Sequence, residues 1–294
     1  MLADADRMKE SLPLIHFPAL AGALDRALAM PDGLSDAELR RRDQQQHMVQ
    51  LLRTVVECSA DALTQRLVGS TTKWPYACVV SGVSSAVEFV ALCASIGTLV
   101  EPFGKDPYKV IAPLRPSSDR MDAGKALNEM LHTDGTHWPT PNDFTCLYCI
   151  RADEAGGGRS LVMPQEQFVE AVLSALGKVE GEQFLLKSQP WEIAKELGGG
   201  TLHAPVLSDD RVRWMGFTLL NSRDASPESK QELRRQIERI ECALGQQTGT
   251  ISLLLQPGDA LFVNNRRSLH ARTAIKRPLA SQRLLLRAKV SCSS

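Results

Sequence analysis

The chain lacks any uninterrupted run of about 18 apolar residues, which argues against a membrane-spanning helix. It also lacks an excess of either charge, with 34 Lys and Arg against 34 Asp and Glu. Without a basic surplus, neither nucleic acid nor an anionic membrane is expected as the main partner. The first residues, MLADADRMKESLP, contain no basic stretch leading into an apolar one, so a secretory leader is not expected. Seven cysteines are scattered without framework spacing. Their odd number favours reduced thiols in a cytoplasmic setting over disulfides. The one CxxC pair, Cys146 and Cys149, lies in the apolar run FTCLYCI. Three residues apart on a strand, the two thiols face opposite sides and cannot chelate one zinc ion. Internal repeats, low-complexity tracts and convincing linkers are absent too, so residues 1–294 are expected to form one domain.

What is present is ample apolar material, 43% of the chain, in two textures. The first 70 residues read as helical. Ser35 with Glu38 makes a capping box, and Leu39, Met48, Leu51, Leu52, Val55 and Val56 follow at helical spacing. YACVVSGV, residues 76–83, reads as a buried strand. Ser85 and Glu88 then cap a helix, VEFVALCASI, that Gly97 ends. From about residue 108, short runs rich in Val, Ile, Leu and Phe alternate with Pro, Gly and Asn turns: YKVIAPL, FTCLYCI, RSLVMP, RVRWMGF, ISLLLQPGDALFVNN and RLLLRAKV. A helix around 226–245 interrupts them, with Leu233, Ile237, Ile240 and Leu244 as its apolar stripe. The expected fold is mainly β with flanking helices, a sandwich or jelly roll over residues 76–290.

Two stretches carry chemistry. In LHTDGTHWPTP, residues 131–141, His132 and Asp134 are two positions apart, so an extended backbone puts both on one face. Imidazole plus carboxylate suits a divalent metal. Near the C-terminus, a Gly258-Asp259 turn precedes the strand ALFV, and His270 is expected at that strand's far end. Arg283 and Arg287 in RLLLR share a strand face, with alpha carbons about 13 Å apart. That spacing suits two anionic groups side by side in one cavity, because a guanidinium in an apolar strand needs an anion.

The ordered set HTD, then HART with arginines 13 and 17 residues beyond its histidine, resembles the Fe(II)/2-oxoglutarate oxygenases. Over residues 76–290 it resembles most the clavaminate synthase branch of the taurine dioxygenase superfamily. HTDGT is also similar to the glutarate hydroxylases there. The resemblance implies a double-stranded β-helix core and His132, Asp134 and His270 as a facial triad on Fe(II). Three vacant sites then remain for a chelating 2-oxo acid and O2. It further implies Arg283 on the distal carboxylate of 2-oxoglutarate, Ser160 of GGGRS assisting it, and Arg287 on an anionic group of a small-molecule substrate. The implied reaction is hydroxylation of a C–H bond in an amino acid or an amino-acid-derived intermediate. The alternatives are a dicarboxylate hydroxylase of the glutarate type, a non-catalytic jelly-roll protein that binds metal or 2-oxoglutarate, and a zinc hydrolase. Asn264-Asn265 stands where the family often has Asp-Asn, and Asp134 occupies the position that is small in related halogenases, which disfavours halogenation.

Other residues have two readings each. His137 is a pocket-rim or surface histidine that can touch substrate. Trp138 either shields the cavity or packs a turn. Arg211 and Arg213 flank Val212 on a strand resembling one near the family's substrate pocket, and Arg213 is a candidate substrate contact. His203, after Gly198-Gly199-Gly200, sits in a lid or an ordinary loop. His16 and His47 belong to the helical part, and Arg266, Arg267 and Arg272 to solvated turns.

Overall fold

The computed structural model describes residues 12–16, 60–100, 111–116, 129–193, 198–220, 227–275 and 280–292, plus scattered positions between 41 and 50. Among these the order is β1 (Leu14–His16), α1 (Ala60–Thr71), β2 (Ala77–Ser81), α2 (Ala86–Ile96), β3 (Thr98–Val100), β4 (Ile111–Leu114), β5 (Phe144–Arg151) and β6 (Ser160–Pro164). The helices α3 (Gln165–Leu176) and α4 (Lys178–Leu186) follow, then β7 (Ser188–Glu192), β8 (Thr201–Pro205), β9 (Leu207–Ser208) and β10 (Arg211–Val212). The chain continues through α5 (Gly216–Leu220), α6 (Pro227–Gln246), β11 (Ile251–Leu253), β12 (Ala260–Asn264), β13 (Ser268–Arg272) and β14 (Leu284–Ser291).

A seven-stranded sheet runs β1-β2-β12-β5-β14-β3, with β4 also on β14, and a three-stranded sheet runs β11-β6-β13. Side chains alternate across each strand, and the alternation is consistent over the large sheet. Cys78, Val80, Cys146, Tyr148, Ala260, Phe262, Ala288 and Val290 join the cluster under α2. Their neighbours Ala77, Val79, Cys149, Leu261, Val263 and Leu285 face the other way. There they meet Val162, Ile251 and Leu253 of the small sheet. The two sheets therefore share an inner layer, with α2 outside one. Helices α3, α4 and α6 lie outside the other, against Met163 and Leu269. Cys146 and Cys149 fall in different clusters, as opposite strand faces require.

Local signals act as expected around α2. Ser85 Oγ accepts the Glu88 amide, and the Glu88 carboxylate accepts the Ser84 amide at 2.7 Å, one residue before the usual reciprocal partner. Ile237, Ile240 and Leu244 are buried on α6, as the stripe implies. Ser226 lies outside the described residues.

Two expectations change, and a third falls on residues the structure does not describe. Leu14–His16 is a strand parallel to β2, so the helical reading of the first 70 residues does not hold there. Its alternation, with Ile15 buried between exposed neighbours, fits a sheet edge. The Ser35–Glu38 box and all six residues of the Leu39–Val56 stripe lie outside the described residues. RVRWMGF is a strand only at Arg211–Val212, because the Trp214 backbone is taken by Thr133 and α5 begins at Gly216. No helix among the described residues is long and apolar enough to cross a membrane.

Gly97 joins α2 to β3 where β14 ends, and a Cβ there would stand 2.5 Å from the Ser291 carbonyl oxygen. Backbone is hard to displace, so Gly97→Ala is expected to destabilise the fold by about 1–3 kcal/mol, read as a lower denaturation midpoint. An unchanged midpoint would show that β14 yields at its end.

Candidate metal centre

The site is assembled where the inner layer meets the loop 131–143. The His132 amide donates to the His270 carbonyl at 3.0 Å, and the His270 amide returns a bond to His132 at 2.8 Å. The two histidines are thus a hydrogen-bonded antiparallel pair with ring centroids 4.6 Å apart. His270 lies in the middle of β13, not at the end of β12 as the sequence suggested. Leu269 faces the helices, so His270 faces the inner layer.

Asp134 is placed by its backbone and by both carboxylate oxygens. Its amide donates to Asn265 Oδ1 at 2.8 Å, and Asn265 Nδ2 donates back to its carbonyl at 3.0 Å and to Asn142 O at 2.9 Å. Gly135, at φ 68°, then turns the chain away, a conformation costly for other residues. Thr145 Oγ1 donates to Asp134 Oδ2 at 2.7 Å, while Lys289 Nζ approaches Oδ1 at 3.1 Å. Arg287 Nη1 is 3.8 Å from the same Oδ1. Lys289 is 1% exposed and lies 5.7 Å from the Trp138 ring centroid, a cation–π distance.

His132, Asp134 and His270 offer ligand atoms that all lie within 4.8 Å of one another. His270 Nε2 is 3.6 Å from Asp134 Oδ2. His132 Nδ1 is 2.7 Å from the Met130 carbonyl. That contact needs a proton on Nδ1, which leaves Nε2 with its lone pair for a ligand. Burial, then the neighbouring His132, pulls His270 down to about 3, and burial also lowers His132. Both imidazoles are therefore neutral, the state that binds metal. Burial alone would raise Asp134. Lys289 foremost, then Arg287, outweigh it and hold the carboxylate well below its ordinary value. Two neutral nitrogens and one anionic oxygen are a donor set that fits a divalent first-row metal.

A cavity beside these atoms is lined by His132, His270, Ser160, Arg283, Leu285 and Arg287. Arg283 is 5% exposed and its Nη2 donates to the Gly158 carbonyl at 3.0 Å. Among the described residues it makes no ion pair. Burial, then Arg272, lowers it to about 10, still charged near neutrality. Gly158 is required beneath it: a Cβ would stand 2.7 Å from Arg283 Nε. The glycine run before Ser160 thus beds a buried guanidinium suited to an anion.

The remaining candidates are placed elsewhere. His137, Trp138 and Arg213 do not line that cavity. The Arg213 guanidinium donates to the carbonyls of Thr136, Trp138 and Pro139, bracing the loop. His137 meets Trp138 edge-on. Arg211 and Arg266 both reach Asp143. Arg272 is on β13, paired with Glu129 at 3.1 Å, and not in a solvated turn. His203 is exposed on the β7–β8 hairpin, and His16 is on a strand against Ser81. Asn264 bonds Thr71 O and the Arg266 amide, which gives it a turn-building role. Sequence reasoning passed over Thr145 and Lys289 at Asp134, and noted Asn265 without giving it a role there. Lys289 had a signal, since Arg283, Leu285, Arg287 and Lys289 alternate along one face of β14 and of the residues before it.

Residues 76–174 match the family described as "Taurine catabolism dioxygenase TauD, TfdA family". No curated protein matches the sequence. Among solved structures, an asparagine oxygenase in complex with Fe(II), 2S,3S-3-hydroxyasparagine and succinate is 16% identical. Its TM-score is 0.67, over 95% of this chain and 93% of that one. The oxygenase OrfP, in complex with Fe, succinate and (3S)-hydroxy-L-Arg, is 14% identical with a TM-score of 0.64, over 96% and 94%. OrfP with Fe and alpha-ketoglutaric acid gives 14% and 0.63, over 96% and 95%. At these identities the structural likeness establishes the fold.

The histidine shifts give a pH prediction for metal-free protein. Unfolded imidazoles titrate at 6.5, so the unfolded chain takes up protons below that value that folded His132 and His270 refuse. Their contribution is complete above 6.5 and is lost as pH falls toward about 3. Asp134 acts in the same direction below 3.8. The thermal midpoint should therefore fall from about pH 7 to about pH 5, less steeply in His270→Gln. A midpoint that rises on acidification would contradict the buried neutral pair.

Proposed function

From the match of residues 76–174 to the TauD/TfdA family, we propose that this chain is an Fe(II)/2-oxoglutarate-dependent oxygenase that hydroxylates a free amino acid or an amino-acid-derived small molecule. The observation that carries this reading is one juxtaposition. Two neutral imidazoles and a carboxylate converge within 4.8 Å beside a cavity holding a buried arginine that makes no ion pair among the described residues. His132, Asp134 and His270 would hold Fe(II). Arg283, with Ser160 across the same cavity, would hold the distal carboxylate of 2-oxoglutarate. Arg287 would hold a carboxylate of the substrate. The bound iron with 2-oxoglutarate and O2 supplies oxidation of a C–H bond, with succinate and carbon dioxide as coproducts.

The chain's own contribution is positioning and exclusion of water. The inner layer walls the site with Leu285 and the buried residues around it, and the ligand loop is locked to β13 by the His132–His270 pair. The two facing sheets are read as halves of a double-stranded β-helix. An amino-acid substrate is supported by the neighbours, which hold hydroxylated asparagine and arginine. This also suits the clavaminate synthase-like branch. The His137–Trp138 turn, braced by Arg213, is assigned to the rim on the substrate side. The described cysteines are all free, in keeping with a cytoplasmic setting.

Anaerobic addition of Fe(II) and 2-oxoglutarate to the apoprotein is expected to give a weak visible charge-transfer band, absent in His270→Ala and much weakened in Arg283→Ala. Arg287→Ala should retain the band and lose substrate-stimulated succinate release. Amino acids, rather than simple diacids, should stimulate that release. A folded protein that binds metal without the band would sink the oxygenase reading.

A further inference from the structure

Thr145 and Lys289 are register partners on the adjacent strands β5 and β14. Both point into the inner layer, and each takes a different oxygen of one carboxylate: Thr145 Oγ1 on Asp134 Oδ2 at 2.7 Å, Lys289 Nζ on Oδ1 at 3.1 Å. His270 Nε2 lies 3.6 Å from Oδ2. Oδ2 therefore faces His270, and Oδ1 faces the cations.

A carboxylate beside a metal can offer one oxygen or both. The difference matters here, because a facial triad is useful only if its three remaining positions stay open. A second oxygen from Asp134 would occupy one of them. A buried ammonium on Oδ1 opposes that rotation directly, since swinging Oδ1 toward a cation would strip Lys289 of its carboxylate in a site with 1% exposure. Two further features pin the group. The Asn265 staple fixes the Asp134 backbone on both its amide and its carbonyl. The Trp138 ring, 5.7 Å from Lys289 Nζ, covers the ammonium from the loop side.

We propose that Lys289 is a positioning residue that keeps Asp134 a one-oxygen metal ligand, and so keeps open the coordination position that 2-oxoglutarate needs. This rests on reading His132, Asp134 and His270 as the metal ligands. Lys289 would touch neither substrate nor metal; it acts through Asp134.

The test uses Lys289→Met, which keeps the length and apolar character of the stem, and Lys289→Arg, which keeps a cationic donor. Folding is checked first by thermal melting, then binding is followed without turnover. Co(II) titration of Lys289→Met should show affinity equal to or tighter than the unaltered protein, since a repelling cation is gone and a second oxygen is released. Its dissociation constant for 2-oxoglutarate on the Fe(II) form should rise about tenfold or more, with loss of the charge-transfer band. Lys289→Arg should restore both toward the unaltered values. A Lys289→Met protein with unchanged 2-oxoglutarate affinity and band would overturn the proposal. A second measurement needs no variant: a crystal structure of the Mn(II)-loaded protein should show one Asp134 oxygen on the metal and Lys289 on the other. Both oxygens on the metal would overturn the proposal while leaving the triad intact. Failure of the unaltered protein to bind Co(II) or Mn(II), or equal binding by His270→Ala, would instead remove the triad reading on which it rests.

Discussion

The structure depends on a single buried carboxylate. Asp134 carries a full charge in the inner layer, and such a charge is tolerated only where cations and donors surround it. Those partners come from separate parts of the chain: Thr145 from β5, Arg287 and Lys289 from β14, Asn265 from the turn between β12 and β13. Removing one partner of a buried pair typically costs about 3–5 kcal/mol. Each of these strands is therefore held in register partly by its debt to the same group. The constraint runs both ways. The cations that keep Asp134 ionised would themselves be expensive to bury without it.

Around that carboxylate, the sandwich supplies precision. A strand has two faces and no intermediate orientation. Once Leu269 packs against the helices, His270 has to enter the inner layer. The paired amides of His132 and His270 then set the two rings opposite each other. Sites built on strands in this way are held more tightly than sites built on loops. The single loop that contributes, 131–143, is braced by Arg213 on its carbonyls and by Asn265 on Asp134. Arg283 follows the same logic from the far side of the cavity, where glycine leaves room for its guanidinium.

The parts of this arrangement differ in how readable they were. Strands such as FTCLYCI and RLLLRAKV declare themselves by β-branched and apolar content, and the stripe of α6 by its period. HTD and HART stand out as residue types with few structural uses in that order. The short strand Leu14–His16 does not declare itself, because three residues carry too little periodicity to compete with a helical surrounding. The end of the strand at Val212 was equally hidden. It is set by Thr133 binding the Trp214 backbone, a contact between segments far apart in the chain. Arg213 looked like a substrate contact by position, and what only the tertiary structure shows is that its guanidinium also bonds three carbonyls of the loop.

The sequence by itself determined the kinds of groups available and their local faces. It placed His132 beside Asp134, put Arg287 and Lys289 on one face of β14 with Arg283 just before that strand, and supplied glycines where a large side chain would need room. These are consequences of chain geometry over a few residues. Only the tertiary structure decided which carboxylate oxygen meets Lys289, that Thr145 stands opposite it, and that Asn265 fastens the Asp134 backbone. Those choices depend on the register between strands distant in sequence, and register is fixed by packing of the whole inner layer.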